Sequence, residues 1–160
     1  MKGPKKEHVN EAWRVSPFPD LSGKGGYLAD GRWHNRGRPV SYLSPSAPGA
    51  LIETLVHLDL DPEGNPPESY QLLRVEFARE VLVEELEGGD YPEDWIDNLP
   101  ATREIGDEWL ERGDSLLLKV PSRVMPDASN YLFNPQHPDA NAASVEAITR
   151  DYDPRIFKIR

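Results

Sequence analysis

Apolar positions along this 160-residue chain come in short runs, and their spacing shifts repeatedly between a period of two and a helical period. EAWRV (11–15) and PVSYLS (39–44) read as short strands, separated by the glycine-rich SGKGGYLADGRWHNRG (22–37). SAPGALIETLVHL (46–58) reads as a helix, with Ser44 or Ser46 as N-cap and Pro48 in the first turn. DPEGNPPES (61–69) is a turn-rich loop. YQLLRVEF (70–77) alternates as a strand does, and VLVEEL (81–86) continues it or starts another. After Pro92, EDWIDNL (93–99) forms a short helical turn, and TREIGDEWLERG (102–113) is an amphipathic helix stopped by Gly113. SLLLKVPS (115–122) predicts a strand buried on both faces and closed by Pro121. NYLFNPQHPD (130–139) should be extended, because residues before proline avoid the helical region. The tail SVEAITRDYDPRIFKIR (144–160) supplies two further short strand candidates.

Strands and helices mixed without a βαβ rhythm predict an α+β fold. No linker, repeat or low-complexity tract divides the chain, so residues 1–160 are expected to form one domain. No run approaches the length of a bilayer span, and the basic start MKGPKKEHVN has no apolar segment behind it. Neither a membrane anchor nor a secretory signal is expected. The absence of cysteine removes disulfides and cysteine-ligated metals, and fits a cytoplasmic protein. A net charge of −10 argues against direct binding of nucleic acid. Arg32, Arg36 and Arg38 nevertheless crowd together with no acid between them, which suggests a local cationic site for a small anion. The acidic remainder would suit a basic partner.

Against that background Glu53 stands out. Its helical neighbours are Gly49, Ala50, Val56 and His57, with Leu51, Ile52, Leu55 and Leu58 around it. A carboxylate there must be desolvated, paired or facing a cavity. One reading is a structural ion pair with an arginine; the other is a reactive group. Arg32, between Gly31 and Trp33, has a fork suited to phosphate or carboxylate. Tyr42 lies on the strand leading into the Glu53 helix, where a half-buried aromatic would be ordinary. Three further features carry no chemistry. Gly113-Asp114-Ser115-Leu116 spells a hydrolase signature but lies late in the chain, and reads as a helix stop and strand start. Gly23, Gly25 and Gly26 complete no phosphate-loop fingerprint, and His8, His34, His57 and His137 have no metal spacing, so no metal site is expected. His57 reads as a packed or capping helix residue.

Taken in order, Ala12-Trp13-Arg14, Gly31-Arg32-Trp33-His34, Val40-Ser41-Tyr42-Leu43-Ser44 and Ala50-Leu51-Ile52-Glu53-Thr54-Leu55-Val56-His57 resemble the RES family. These are the toxins of RES–Xre toxin–antitoxin systems, named for an Arg, a Glu and a Ser. The resemblance continues through Ile105-Gly106-Asp107-Glu108-Trp109, Val120-Pro121-Ser122, the run from Asn130 to Pro138, and Asp153-Pro154-Arg155-Ile156-Phe157. It places the named triad at Arg32, Glu53 and Ser122, with Tyr42 as a fourth catalytic residue and Arg14, Trp33 and Asn130 as NAD-binding residues. His34 stands where asparagine is more often expected.

The resemblance implies an ADP-ribosyltransferase-like split sheet clasping NAD. It implies cleavage of NAD at the nicotinamide–ribose bond, by hydrolysis or phosphorolysis, with NAD as substrate and no cofactor. The implied partner is an Xre-type antitoxin that blocks the pocket, with a homodimer inside such a complex left open. Two rival readings remain: ADP-ribosyl transfer to a protein, and a non-catalytic module with a structural Arg32–Glu53 pair.

Overall fold

A computed structural model of the chain describes residues 2–158 and divides their strands between two sheets. The first sheet has the order β1 (Lys2–Glu7), β5 (Val81–Glu85), β6 (Leu117–Pro121), β7 (Ser129–Phe133), β3 (Ser41–Leu43). The second has the order β2 (Ala12–Val15), β4 (Ser69–Phe77), β8 (Ala143–Asp151). β5 and β6 pair in parallel and are linked by helix α3 (Leu99–Arg112), since a parallel pair needs a long crossover.

The α+β expectation holds. β6 is the central strand, and its successive residues serve two separate cores. Leu117 joins Val75, Phe77 and Phe133, from strands of both sheets. Leu118 and Val120 point the other way, into Trp33, Trp95, Trp109 and Leu110 beside α3. Trp95 and Trp109 are thereby settled as core residues.

α3 is fixed at both ends. Asn98 accepts from the Ala101 N–H at 3.2 Å, and Gly113 takes the left-handed conformation (φ 64°) that ends the helix. Its buried stripe is Thr102, Gly106, Trp109 and Leu110. Gly106 is a sequence requirement, because a Cβ there would lie 1.5 Å from the Trp33 carbonyl oxygen. Only a glycine lets the Arg32–Trp33 turn lie directly on the helix. Past Gly113, Ser115 is fully buried, accepting from Trp109 Nε1 and donating to the Leu117 carbonyl, so this segment is structural.

Helix α2 (Ala47–Leu55) starts where predicted: Ser46 accepts from the Gly49 N–H at 3.1 Å. It ends three residues earlier than the sequence pattern suggested, and it is not enclosed. Ala50 is its buried residue, whereas Ile52 and Val56 are 40% and 55% exposed.

Other departures share a cause. The Lys-rich start forms edge strand β1, held by backbone bonds to β5 that need no apolar side chains. A five-residue helix, α1 (Lys24–Leu28), forms inside the glycine-rich stretch. The tail makes one strand, β8, and then a 3-10 turn at Pro154–Phe157 instead of a second strand, because Asp153 caps the Arg155 N–H at 2.9 Å. Residues 159 and 160 of that expected strand lie outside the described residues. The two sheets meet at one bridge, where Trp13 and Ser44 exchange backbone bonds of 2.8 and 2.7 Å.

Candidate active site

Beside that bridge lies a cavity of about 840 Å³, bordered by β2, the 31–34 turn, β3, α2 and residues 120–124. Its volume falls in the range of about 300–1,000 Å³ typical of small-molecule sites.

Glu53 projects from α2 into this space and is half-buried. Ser122 Oγ donates to its Oε1 at 2.5 Å and Asn130 Nδ2 donates to the same oxygen at 2.9 Å. Each donor is itself oriented. The Met125 N–H donates to Ser122 Oγ at 3.2 Å, and Ser44 Oγ donates to Asn130 Oδ1 at 3.0 Å. Thus β3, β7 and the end of β6 all converge on one carboxylate oxygen. Among the described residues Glu53 takes part in no ion pair, so the Arg32–Glu53 structural bridge is absent. Oε2 is left without a hydrogen-bond partner there.

Ser122 is 3% exposed and does not line the cavity. It sits behind Glu53 and acts through it, which differs from a direct contact with a ligand. Asn130 does line the cavity and can serve both roles.

Arg32 lines the same cavity, with Nη1 donating to the Ile96 carbonyl at 2.8 Å and the Trp95 carbonyl at 3.4 Å. Burial, with repulsion from Arg123 and Arg103, lowers its pKa, opposed by attraction to Asp97. Arg14 on β2 is also lowered by burial, opposed by attraction to Asp20. Arg103 and Arg123 complete the cationic lining. Arg103 comes from α3, where its Nε donates to the Gly31 carbonyl at 2.8 Å.

The cations expected from the sequence are therefore partly wrong: Arg36 and Arg38 are exposed on the turn and line nothing. Arg103 and Arg123 were missed. They lie about 70 and 90 positions from Arg32 in sequence, and no local spacing announces them.

Trp33 lines the cavity, but its ring is 2% exposed and stacks on Trp95 with centroids 5.7 Å apart, so the indole is packed largely in the core. Its backbone N–H donates to the Tyr42 hydroxyl at 2.9 Å. That hydroxyl also meets Nδ1 of His34 at 2.8 Å, while His34 Nε2 lies 2.8 and 3.0 Å from the Gly26 and Ala29 carbonyls. Two carbonyls require a proton on Nε2, so in the neutral ring Nδ1 accepts and Tyr42 donates. Burial pushes the Tyr42 phenol far up, which keeps that proton in place. His34 and Tyr42 together thus lock the arginine turn. Gly31 is required beside them, since a Cβ there would lie 2.5 Å from the Tyr42 hydroxyl. His57 is not packed in the helix; it lies past its end, exposed at the cavity rim.

This geometry agrees with what the chain is similar to. The RES domain model matches residues 11–155. The chain belongs to the RES domain family. A toxin of Pseudomonas putida named "Toxin Res" is 43% identical over 145 residues, covering 91% of this chain and 98% of that protein. A Sphingobium protein named "Prs ADP-ribosylating toxin" is 36% identical over 158 residues, covering 91% and 96% respectively. Among solved structures, the Mycobacterium tuberculosis MbcT–MbcA toxin–antitoxin complex contains a chain that superposes with a TM-score of 0.73 at 17% identity, covering 96% of this chain and 89% of that one. This superposition shows that the split pair of sheets shares the fold of that toxin–antitoxin chain. No helix among the described residues is long and apolar enough to cross a membrane.

Proposed function

We propose that this RES-family toxin cleaves the bond between nicotinamide and ribose in NAD, and so arrests growth by lowering NAD. The observation that carries this reading is Glu53: one carboxylate, oriented by Ser122 and Asn130, in a cavity that also presents Arg14, Arg32, Arg103 and Arg123. The nicotinamide of NAD is already cationic. When its bond to C1′ breaks, the electron pair stays on the ring nitrogen and a neutral base leaves, so no general acid is needed. Positive charge grows on the ribose, as in other oxocarbenium-like glycosyl transfers. A preorganised carboxylate facing that charge stabilises the transition state more than the ground state. Water or phosphate then adds an oxygen to C1′ and loses a proton. The arginines hold the pyrophosphate. Tyr42 serves through the turn it locks. NAD is the substrate, and the reaction calls for no further cofactor.

The partner in this reading is an antitoxin of the Xre type that covers the cavity mouth in the cytoplasm. Support comes from the M. tuberculosis neighbour, which was solved as a toxin–antitoxin complex. A second reading has its own support. The Sphingobium relative is named as an ADP-ribosylating toxin, which favours delivery of the ribose to a protein acceptor from the same pocket.

The test is to mix the purified chain with NAD and follow free nicotinamide, with and without phosphate. Glu53→Gln keeps the shape and removes the charge. Release should fall by about 10²–10³-fold, the range seen when one preorganised electrostatic group is removed, while cooperative unfolding persists. Undiminished turnover in that variant would sink the charge argument. Radiolabel from NAD appearing on protein in a lysate would move the reading to protein modification.

A further inference from the structure

Locking the arginine turn does not exhaust the Tyr42 hydroxyl. The residues that surround it, Gly31, Trp33 and His34, line the cavity together with Tyr42 itself, which is half-buried. A phenol oxygen carries one proton and two lone pairs. The Trp33 N–H takes one lone pair at 2.9 Å, and the proton goes to Nδ1 of His34 at 2.8 Å. One lone pair is left over, and the hydroxyl has nothing more to donate.

We propose that His34 is a positioning residue that keeps the Tyr42 proton out of the cavity, so that this hydroxyl meets a bound ligand only as a hydrogen-bond acceptor. The ligand group it fits is a hydroxyl, an amide N–H or a growing positive charge; a carbonyl or anionic oxygen is refused. The inference rests on the reaction proposed above, in which positive charge develops on the ribose. A lone pair turned toward that charge stabilises it, whereas an O–H dipole pointing at it opposes it. His34 holds this polarity because its other nitrogen is fixed. Nε2 meets the Gly26 and Ala29 carbonyls, and the residue is 2% exposed. The other tautomer would set a lone pair against two carbonyl oxygens.

Adding a proton to the imidazole reverses the arrangement. Both ring nitrogens then donate, the Tyr42 oxygen receives from Trp33 and His34 together, and its own proton must turn toward the cavity. The charged groups around the pair are Asp30, Arg32 and Arg36 on the turn, and Arg103 and Asp107 on α3. Their hydrogen bonds go elsewhere. Asp30 accepts from the Arg36 N–H and Asp107 from Asn35, while Arg32 and Arg103 donate to main-chain carbonyls. The imidazole is therefore the group that sets the direction of the hydroxyl, and turnover should fall as acid charges it.

Two substitutions separate the roles of the two ring nitrogens. Asparagine carries an amide oxygen at the reach of Nδ1, and keeps an acceptor for Tyr42 that acid does not charge. Glutamine carries an amide nitrogen at the reach of Nε2, and keeps only the anchor to Gly26 and Ala29. At about pH 8, where an imidazole is ordinarily neutral, kcat for nicotinamide release should be about tenfold higher in His34→Asn than in His34→Gln, with KM alike in both. From there down to about pH 5 the ratio of wild-type to His34→Asn kcat should fall, because only the wild type takes up the proton. Imidazole ¹⁵N spectra, recorded without NAD, should show His34 protonated at Nε2, with an Nδ1 resonance that moves in Tyr42→Phe. Among the four histidines its signal is the one missing from His34→Asn. A proton on Nδ1, an Nδ1 resonance indifferent to Tyr42→Phe, equal kcat in the two variants or a pH-independent ratio would each overturn the proposal. A wild type that releases no nicotinamide would overturn the reaction instead, while the spectra still decide which way the Tyr42 proton points.

Discussion

α2 and α3 look mismatched to their tasks. α2 has one charged residue in nine and is the more apolar helix, yet it buries only Ala50 and leaves Ile52 and Val56 in solvent. α3 has six charged residues in fourteen, yet its stripe of Thr102, Gly106, Trp109 and Leu110 closes one of the two cores. Composition alone would assign the core to α2. What matters is the geometry of apolar positions against a partner surface: α3 offers a continuous stripe to β6 and the Trp33 turn. α2 turns its one charged side chain, Glu53, toward the cavity. The scaffold and the chemistry therefore sit on different helices, and substitutions should separate them.

The sharpest separation is expected at Trp109. Trp109→Ala removes a buried indole and its bond to Ser115, and should lower the unfolding free energy measured in urea by about 3–5 kcal/mol. Per-molecule turnover in whatever fraction stays folded should change little. Next is Ser122→Ala, which strips one hydrogen bond from the Glu53 carboxylate. Hydrogen bonds to charged groups contribute about 1.5–3 kcal/mol, so kcat for nicotinamide release should fall about 10- to 100-fold. KM should stay nearly constant, because Ser122 lies behind the cavity wall; an effect on KM alone would mean that it contacts the substrate. The smallest change belongs to Ile52→Ser and Val56→Ser. Both side chains are exposed, so each change should move stability by no more than about 0.5 kcal/mol. A loss of several kcal/mol would show that this face is covered in solution.

The same contrast explains what the sequence disclosed. β2 to β6, α2 and α3 were legible because each carries its own signal: alternation, a Ser46 cap, or a Gly113 stop, although α3 starts at Leu99, three residues before the pattern suggested. β1 was not, since an edge strand of lysines is held by main-chain bonds that leave no apolar pattern. At the site, Arg32, Glu53 and Tyr42 were singled out from local runs and Ser122, Asn130 and Arg14 through the family resemblance, and the fold brings them around one cavity or immediately behind it. Trp33 was named beside its arginine, but the stacking of its indole on Trp95 is a tertiary contact that no local run discloses. Arg103 and Arg123 could not be read at all. Their place depends on α3 docking against Gly31 and on the loop after β6, which are tertiary facts.

The bridge between Trp13 and Ser44 has a consequence for how such a pocket withstands mutation. Arg14 follows one of these residues, and the other begins the chain of bonds that reaches Glu53 through Asn130. The span between cation and carboxylate is thus gauged by two main-chain hydrogen bonds, which no side-chain replacement at position 13 except proline can delete. Drift in the surrounding sequence can recolour the walls of the cavity while that gauge holds. Amide exchange at residues 13 and 44 would register its opening before any loss of chemistry did.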